Sequence, residues 1–305
     1  MKDFQNIIEL AEALGCECLK NEPLTRHTTF KIGGNCPVLI KINSAESGIK
    51  LISTLKKQNL PYLIIGNGSN LIVDDDGIER AVLLMASDFS AVELIDNEII
   101  ACESGASLSK VCAFACENSL SGLEFAWGIP GSIGGAVYMN AGAYGGEISD
   151  VFVGCDYIAD DCTLKHISLN EMDFSYRHSF FSDKSLVIVK TFFKLIKAEK
   201  AEITAKMDDL ISRRKSKQPL EFPSAGSTFK RPVGNYASLL IEQCGLKGFS
   251  VGDAEVSKKH SGFIINKGNA TFAEVMELIK KVKEIVKEKT GFVLECEPKV
   301  ISDKK

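Results

Sequence analysis

The sequence predicts an α+β protein built in two parts, and three features of the chain point there. Apolar and β-branched runs with helices between them dominate from roughly residue 30 to 197. After Lys197 the pattern changes to longer amphipathic helices. The clearest of these, over 272–289, carries its own start and stop signals and precedes a closing apolar run. The expected division is a larger region over 1–197, itself of two lobes (1–80 and 81–197), and a smaller C-terminal α+β region over 198–305.

Taken in order, residues 4–14 set Phe4, Ile7, Ile8, Ala11 and Leu14 on one helical face. A second amphipathic helix begins at Ser44 and carries Ile49, Ile52 and Leu55. Tyr62–Ile65 and Leu71–Val73 read as strands. Further strands are expected at Ala81–Met85, Val92–Ile95, Glu98–Cys102, Val151–Ile158 and Leu186–Ile196, with a short helix over Ser107–Glu117 among them. In the second part a helix over 201–217 turns Ile203, Met207, Leu210 and Ile211 inward and stops before Pro219. The 272–289 helix opens on a capping box of Thr271 and Glu274. Its stripe runs Val275, Leu278, Ile279, Val282, Ile285 and Val286, and Gly291 sits at the stop. Phe292–Ile301 is expected to close the domain as a strand, with Glu295 and Glu297 on one face.

Bulk properties narrow the function class. Lys plus Arg is 36 against 40 for Asp plus Glu, a net charge of −4, so neither nucleic acid nor an anionic membrane is an expected partner. The ten cysteines are scattered without a Cys-x-x-Cys pair, and none of the four histidines has metal-ligand spacing; reduced thiols and no metal are expected. Asp3, Glu9 and Glu12 break any apolar run at the start, so no signal peptide is expected. The uncharged stretch Phe125–Gly146 is long enough to span a bilayer, but Pro130, Asn140 and seven glycines make it a poor spanning helix. A cytoplasmic monomer is expected.

Two segments carry a stronger signal. Gly66-Asn67-Gly68-Ser69-Asn70 follows a strand, yet lacks the third glycine and the helix of a Rossmann fingerprint. Five small polar residues exceed what a hairpin turn needs, and successive amides there can form an anion-binding concavity. Residues 122–146 hold eight of the chain's 25 glycines, interleaved with Ile, Val, Met and Tyr. A flexible loop would be charged or Ser-rich, so an ordered neutral segment whose amides approach a pyrophosphate is the better account. Neither Gly66–Asn70 nor Gly131–Gly135 contains a Lys or Arg. Weaker signals are Tyr176-Arg177, the loop Ser224–Pro232 with Lys230-Arg231, and the Glu295/Glu297 pair; read alone, these fit a surface cation, a turn and a polar sheet face.

Seven segments in order resemble the UDP-N-acetylenolpyruvoylglucosamine reductase (UDP-N-acetylmuramate dehydrogenase) family, of the vanillyl-alcohol-oxidase-like FAD superfamily. They are Thr28–Gly34, Gly66–Asn70, Gly128–Gly146, Tyr176-Arg177, Ser224–Pro232, Ser257–Phe263 and Leu294–Glu297. The resemblance implies an FAD-binding region over 1–197 and a UDP-sugar region over 198–305. It implies non-covalent FAD held by Thr29, Ile32, Gly33, Gly34, Gly66, Asn67, Gly68, Ser69, Asn70, Gly128, Pro130, Gly131, Ser132, Gly134, Gly135, Asn140, Ala141 and Gly142, with NADPH as reductant. Arg177, Ser227 and Glu297 fall on the family's catalytic positions, and Tyr176, Lys230, Arg231, Lys259 and His260 are the implied substrate contacts. The 50-residue step from Arg177 to Ser227 resembles the shorter subtype. The family usually closes on Glu-x-Glu-Val-Arg, whereas Pro298 and Lys299 follow Glu297, which keeps Glu295 as the alternative carboxyl. Two other readings stay open: another FAD oxidoreductase of the superfamily acting on an alcohol, and a non-catalytic nucleotide-sugar binding protein.

Overall fold

The protein was described from a computed structural model, which covers residues 3–85 and 88–304. Among these residues the α-helices are α1 (Gln5–Ala13), α2 (Ala45–Lys57), α3 (Leu108–Glu117), α4 (Ile133–Tyr138), α5 (Lys200–Lys217), α6 (Ala237–Gln243) and α7 (Phe272–Thr290). Helices and sheets are mixed throughout, as the sequence predicts. The start of α2 follows from chemistry: the Ser44 hydroxyl accepts from the Ser47 amide, and the Ser47 hydroxyl accepts from the Ser44 amide. None of the helices is long and apolar enough to cross a membrane.

The chain packs as two compact units that interleave along the sequence. One takes Met1–Lys20, Val38–Asn67 and Arg80–Arg213; the other takes Asn21–Pro37, Gly68–Glu79 and Arg214–Lys305. Packing therefore does not divide at 197/198, and α5 gives Ile203 and Met207 to the core of the first unit. Two non-local partnerships produce this arrangement. Phe30, Ile32 and Ile72 share the core of the C-terminal segments, and Lys299–Ile301 pairs in parallel with Leu71–Val73.

The first unit holds two cores. In one, α1 and α2 cover a parallel arrangement in which Leu39–Ile42 pairs with Val82–Met85, and Tyr62–Ile65 pairs with Ala81–Leu84. In the other, five antiparallel strands run in the order Leu164–Ser168, Phe152–Ile158, Val187–Lys194, Ile99–Glu103, Val92–Asp96. Leu108, Val111, Cys112 and Ala115 of α3 and Ile133, Ala136 and Val137 of α4 share that core.

The second unit builds on four antiparallel strands in the order Ser224–Ser227, Phe263–Asn266, Ala254–Val256, Ser250–Val251. The buried stripe Val275, Leu278, Ile279, Val282 and Val286 of α7 and Leu240 and Ile241 of α6 complete its core. The expected strand over Phe292–Ile301 is present only as Lys299–Ile301. Pro298 has no amide to donate, and upstream of it the chain makes a single β-bridge, Cys296 to Phe229. All ten cysteines are free thiols, seven of them buried. Burial pushes the Cys36 and Cys112 thiols up to about 12.

The α7 capping box is formed as expected: the Thr271 hydroxyl accepts from the Glu274 amide and the Glu274 carboxylate from the Thr271 amide. Thr271→Ala should therefore cost about 0.5–2 kcal/mol. Guanidinium denaturation followed by far-ultraviolet circular dichroism measures this, as a lower midpoint with an unchanged slope.

Candidate functional site

The glycine-rich segment 128–146 is ordered around α4, a helix its glycines hide from a sequence reading. The Ile133 amide donates to the Ala106 carbonyl at 2.8 Å and the Gly134 amide to the Ser104 carbonyl at 2.9 Å, while the Leu108 amide donates to Gly131 at 3.0 Å. The first turn of α4 is thereby fastened to residues 104–108. Gly134 allows this approach, since a Cβ there would lie 2.9 Å from the Ser104 Cβ. The expectation that the Gly131–Gly135 amides hold a phosphate is corrected at residues 133 and 134, whose donors are already spent on protein carbonyls. The Ser104 hydroxyl, by contrast, is buried without a hydrogen-bond partner.

Gly66 lies against this corner, because a Cβ at 66 would meet the Ser132 hydroxyl at 2.1 Å. The backbone of 66 and the side chain of 132, both expected ligand contacts, are thus brought together in a neutral corner where any larger residue at 66 would clash.

Asn140 departs from the expected cofactor contact. It is fully buried, and its side chain is engaged by protein. Its amide nitrogen donates to the Glu147 carboxylate at 3.0 Å and the Ser175 carbonyl at 3.1 Å, and its side-chain oxygen accepts from the Ser149 amide at 3.0 Å. Gly142 and Ala143 pair with Glu147 and Gly146 as a short ribbon. The Gly142 carbonyl accepts from the Arg177 guanidinium at 3.1 Å. Arg177 occupies a two-residue turn closed by mutual Ser175–His178 amide–carbonyl bonds, with its own φ at +56°. Its guanidinium stacks 5.0 Å from the centre of the Tyr176 ring.

The remaining candidates lie in the second unit, described by itself. The Thr29 hydroxyl donates to the Ser224 carbonyl at 2.7 Å, and the Gly34 amide donates to Asp74 at 2.8 Å. Ile32 is buried in the core there, and Gly33 backs onto Val73. Ser227 and Glu297 come close in the fold: the Glu297 amide donates to the carbonyl of Thr228, the residue after Ser227, at 2.9 Å. The Lys230 amide donates to Glu295 in the same pairing, and the Lys230 ammonium lies 3.6 Å from the Glu295 carboxylate. The Glu295 side chain is exposed, whereas Glu297 is half-buried beside the Ser227 segment.

Arg231 stacks on Tyr236 at 4.7 Å, and Lys259 pairs with Glu221 at 3.4 Å. His260 packs edge-on to Phe263, its Nδ1 accepting from the Gly262 amide, and burial lowers its pKa below the usual histidine value. The sequence reading missed Thr228, which is buried. Its amide donates to Gly262 and its hydroxyl accepts from the Ile264 amide, so it fixes the Ser227 backbone on two sides. Ser104 was missed too; isolated Ser and Thr residues give no pattern to read. Among the described residues no group of three His, Cys, Asp or Glu side chains is placed to hold a metal ion.

Comparison with known proteins matches two family profiles. One, described as an FAD binding domain, covers residues 37–168; the other, described as the UDP-N-acetylenolpyruvoylglucosamine reductase C-terminal domain, covers 218–301. A UDP-N-acetylenolpyruvoylglucosamine reductase of Caldanaerobacter subterraneus subsp. tengcongensis is 48% identical over 284 residues, 93% of each chain. The crystal structure of the reductase of that name from Thermus caldophilus superposes with a TM-score of 0.80 at 33% identity, covering 94% of this chain and 99% of that one. The glucooligosaccharide oxidase of Acremonium strictum shares the fold more distantly: TM-score 0.51, 12% identity, 97% of this chain and 60% of that one.

Gly66→Ala should lower the melting temperature, consistent with about 1–3 kcal/mol of overpacking. Adding Ser132→Gly removes the atom that the new methyl meets and should restore part of the loss. Calorimetry on both variants decides it, and no rescue would mean that the two residues are not in contact.

Proposed function

The chain belongs to the UDP-N-acetylenolpyruvoylglucosamine reductase family, and we propose that it reduces the enolpyruvyl ether of UDP-N-acetylglucosamine enolpyruvate to UDP-N-acetylmuramate, a step in making peptidoglycan precursor. The observation that carries this reading is the backbone pairing of 228–230 with 295–297, in which the Glu297 amide donates to the carbonyl of Thr228, so that the segments bearing the Ser227 hydroxyl and the half-buried Glu297 carboxyl are neighbours. Such a pair suits delivery of a proton to a carbon that has become basic. The reading takes the protein to be a cytoplasmic monomer, with 1–197 serving FAD and 198–305 serving the UDP-sugar; the two matched profiles support that assignment.

The residues present suit FAD. A cation-free corner in which Gly66 backs directly onto the Ser132 hydroxyl, with the unpartnered Ser104 hydroxyl alongside Gly134, offers neutral donors to a dinucleotide. When bound, FAD supplies a hydride, drawn from NADPH, to the terminal vinyl carbon of the substrate. Gly66–Asn70, Thr29, Ile32–Gly34 and residues 128–142 would hold it, Asn140 acting through its neighbours rather than through its own amide.

Hydride addition leaves negative charge on the adjacent carbon and its carboxylate. Arg177 supplies a fixed cation for that charge, and one such donor in a water-poor site is worth about 2.7–4 kcal/mol. Glu297 hydrogen-bonds the same enol, and Ser227 gives its hydroxyl proton to the carbon. A hydroxyl is a weak acid, but an enolate is a strong base, so position outweighs pKa. Tyr176, Lys230, Arg231, Lys259 and His260 are assigned to the anionic substrate.

Purified protein should be yellow, release its chromophore on acid denaturation, and turn over NADPH beyond one equivalent only when the enolpyruvyl UDP-sugar is present. Oxygen consumption with a simple alcohol would favour the oxidase reading, and colourless protein the binding-protein reading. Ser227→Ala should leave flavin reduction by NADPH near normal and slow reoxidation by substrate by on the order of 10²–10⁴. Ser227→Cys should recover part of that rate. Rapid mixing separates the two half reactions, and slowed reduction with normal reoxidation would assign Ser227 to nicotinamide positioning instead.

A further inference from the structure

We propose that Asn140 is a positioning residue for Arg177, setting the guanidinium in place through hydrogen bonds and without touching substrate. The inference rests on the reading of Arg177 given above and adds the device that holds it. Arg177 adopts a left-handed backbone, φ +56°, which is unfavourable for a side chain of this size and persists only where the surroundings enforce it. Those surroundings are residues 138–142. Before the turn, the Ser175 carbonyl accepts from the Asn140 side-chain amide; after it, the buried Ser179 hydroxyl donates to the Tyr138 carbonyl at 2.7 Å. At the far end of the side chain the guanidinium donates to the Gly142 carbonyl. Both the base and the tip of Arg177 are thus tied to the stretch centred on Asn140.

Asn140 also places Gly142. The same amide nitrogen donates to Glu147, the residue paired with Gly142 in the ribbon, and the Glu147 carboxylate takes a second bond from the Ser149 hydroxyl at 2.6 Å. With both amide hydrogens and the oxygen engaged, Asn140 joins the segments at 147–149 and 175. Asn140 is itself left-handed, φ +43°, a conformation glycine would meet without strain. The backbone alone therefore does not require asparagine here. The three-way hydrogen bonding does.

The test uses the FAD-loaded, full-length enzyme and two variants. Asn140→Gly keeps the backbone conformation and deletes the side chain. Asn140→Asp keeps the shape and the acceptor for Ser149 but loses both donors. Each should slow reoxidation of reduced enzyme by the enolpyruvyl UDP-sugar by about 10–100-fold, the order expected from misplacing a catalytic group by an ångström. Both half reactions are read on the FAD-loaded fraction, and reoxidation should fall by more than flavin reduction by NADPH does. The deciding measurement is a double-mutant cycle: Asn140→Gly combined with Arg177→Ala should reoxidise no more slowly than Arg177→Ala alone. Additive losses overturn the proposal, as do unchanged reoxidation in both single variants or loss of FAD or of cooperative unfolding in both. If Arg177→Ala alone reoxidises normally, the role given to Arg177 is what fails, and this inference goes with it.

Discussion

The hydrogen bonds from the Ile133 and Gly134 amides to the carbonyls of Ala106 and Ser104 are the interaction on which the first unit's candidate site depends. A segment this rich in glycine loses more conformational entropy on ordering than any other composition would, so it needs dense compensation. Fastening the first turn of α4 to the 104–108 loop supplies it, and Ser104 is itself held to the central strand through Val189 at 3.0 Å. From that anchorage the chain leaves α4 through Tyr138, Asn140 and Gly142, each of which holds part of the Arg177 turn. The Arg177 turn is thus linked to the sheet first through backbone hydrogen bonds and then through those of the Asn140, Ser179 and Arg177 side chains.

The second unit solves a related problem with fewer glycines. Its Ser227 segment is bracketed by Thr228, whose amide, hydroxyl and carbonyl all meet backbone groups of other strands or loops. Thr29 adds a fourth tie at Ser224. Four hydrogen bonds around one short strand fit the role proposed for Ser227, a weak acid whose value as a proton donor is its position.

How much of this was legible in the sequence depended on whether the signal was local. The α7 helix could be read residue by residue, because cap, stripe and stop lie within one stretch of chain. The same holds for Leu71–Val73, for Ala81–Met85 and for the start of α3 at Ser107. The α4 helix was hidden because Gly134 and Gly135 erase the apolar period. The strand expected over Phe292–Ile301 shortened because alternation alone does not register the donor that Pro298 lacks. The hydrogen bonds that hold the Thr29 and Asn140 side chains could not be read, because their partners, Ser224 and Ser175, lie 195 and 35 residues away. Recognisable motifs pointed to the candidate site, while the hydrogen bonds within those segments were invisible.

The parallel pairing of Leu71–Val73 with Lys299–Ile301 bears on how the chain is made. At synthesis rates of about 5–20 residues per second, the partner strand follows the first by some tens of seconds to about ten. Throughout that interval Ile72, and with it Phe30 and Ile32, belongs to a core whose other half has not left the ribosome. The first unit can assemble around its own sheets meanwhile, but these apolar side chains stay exposed, and the stretch 21–37 is tethered to a folded neighbour without a place to pack. The core of the second unit therefore cannot be completed until the strand that pairs with Leu71–Val73 has been made.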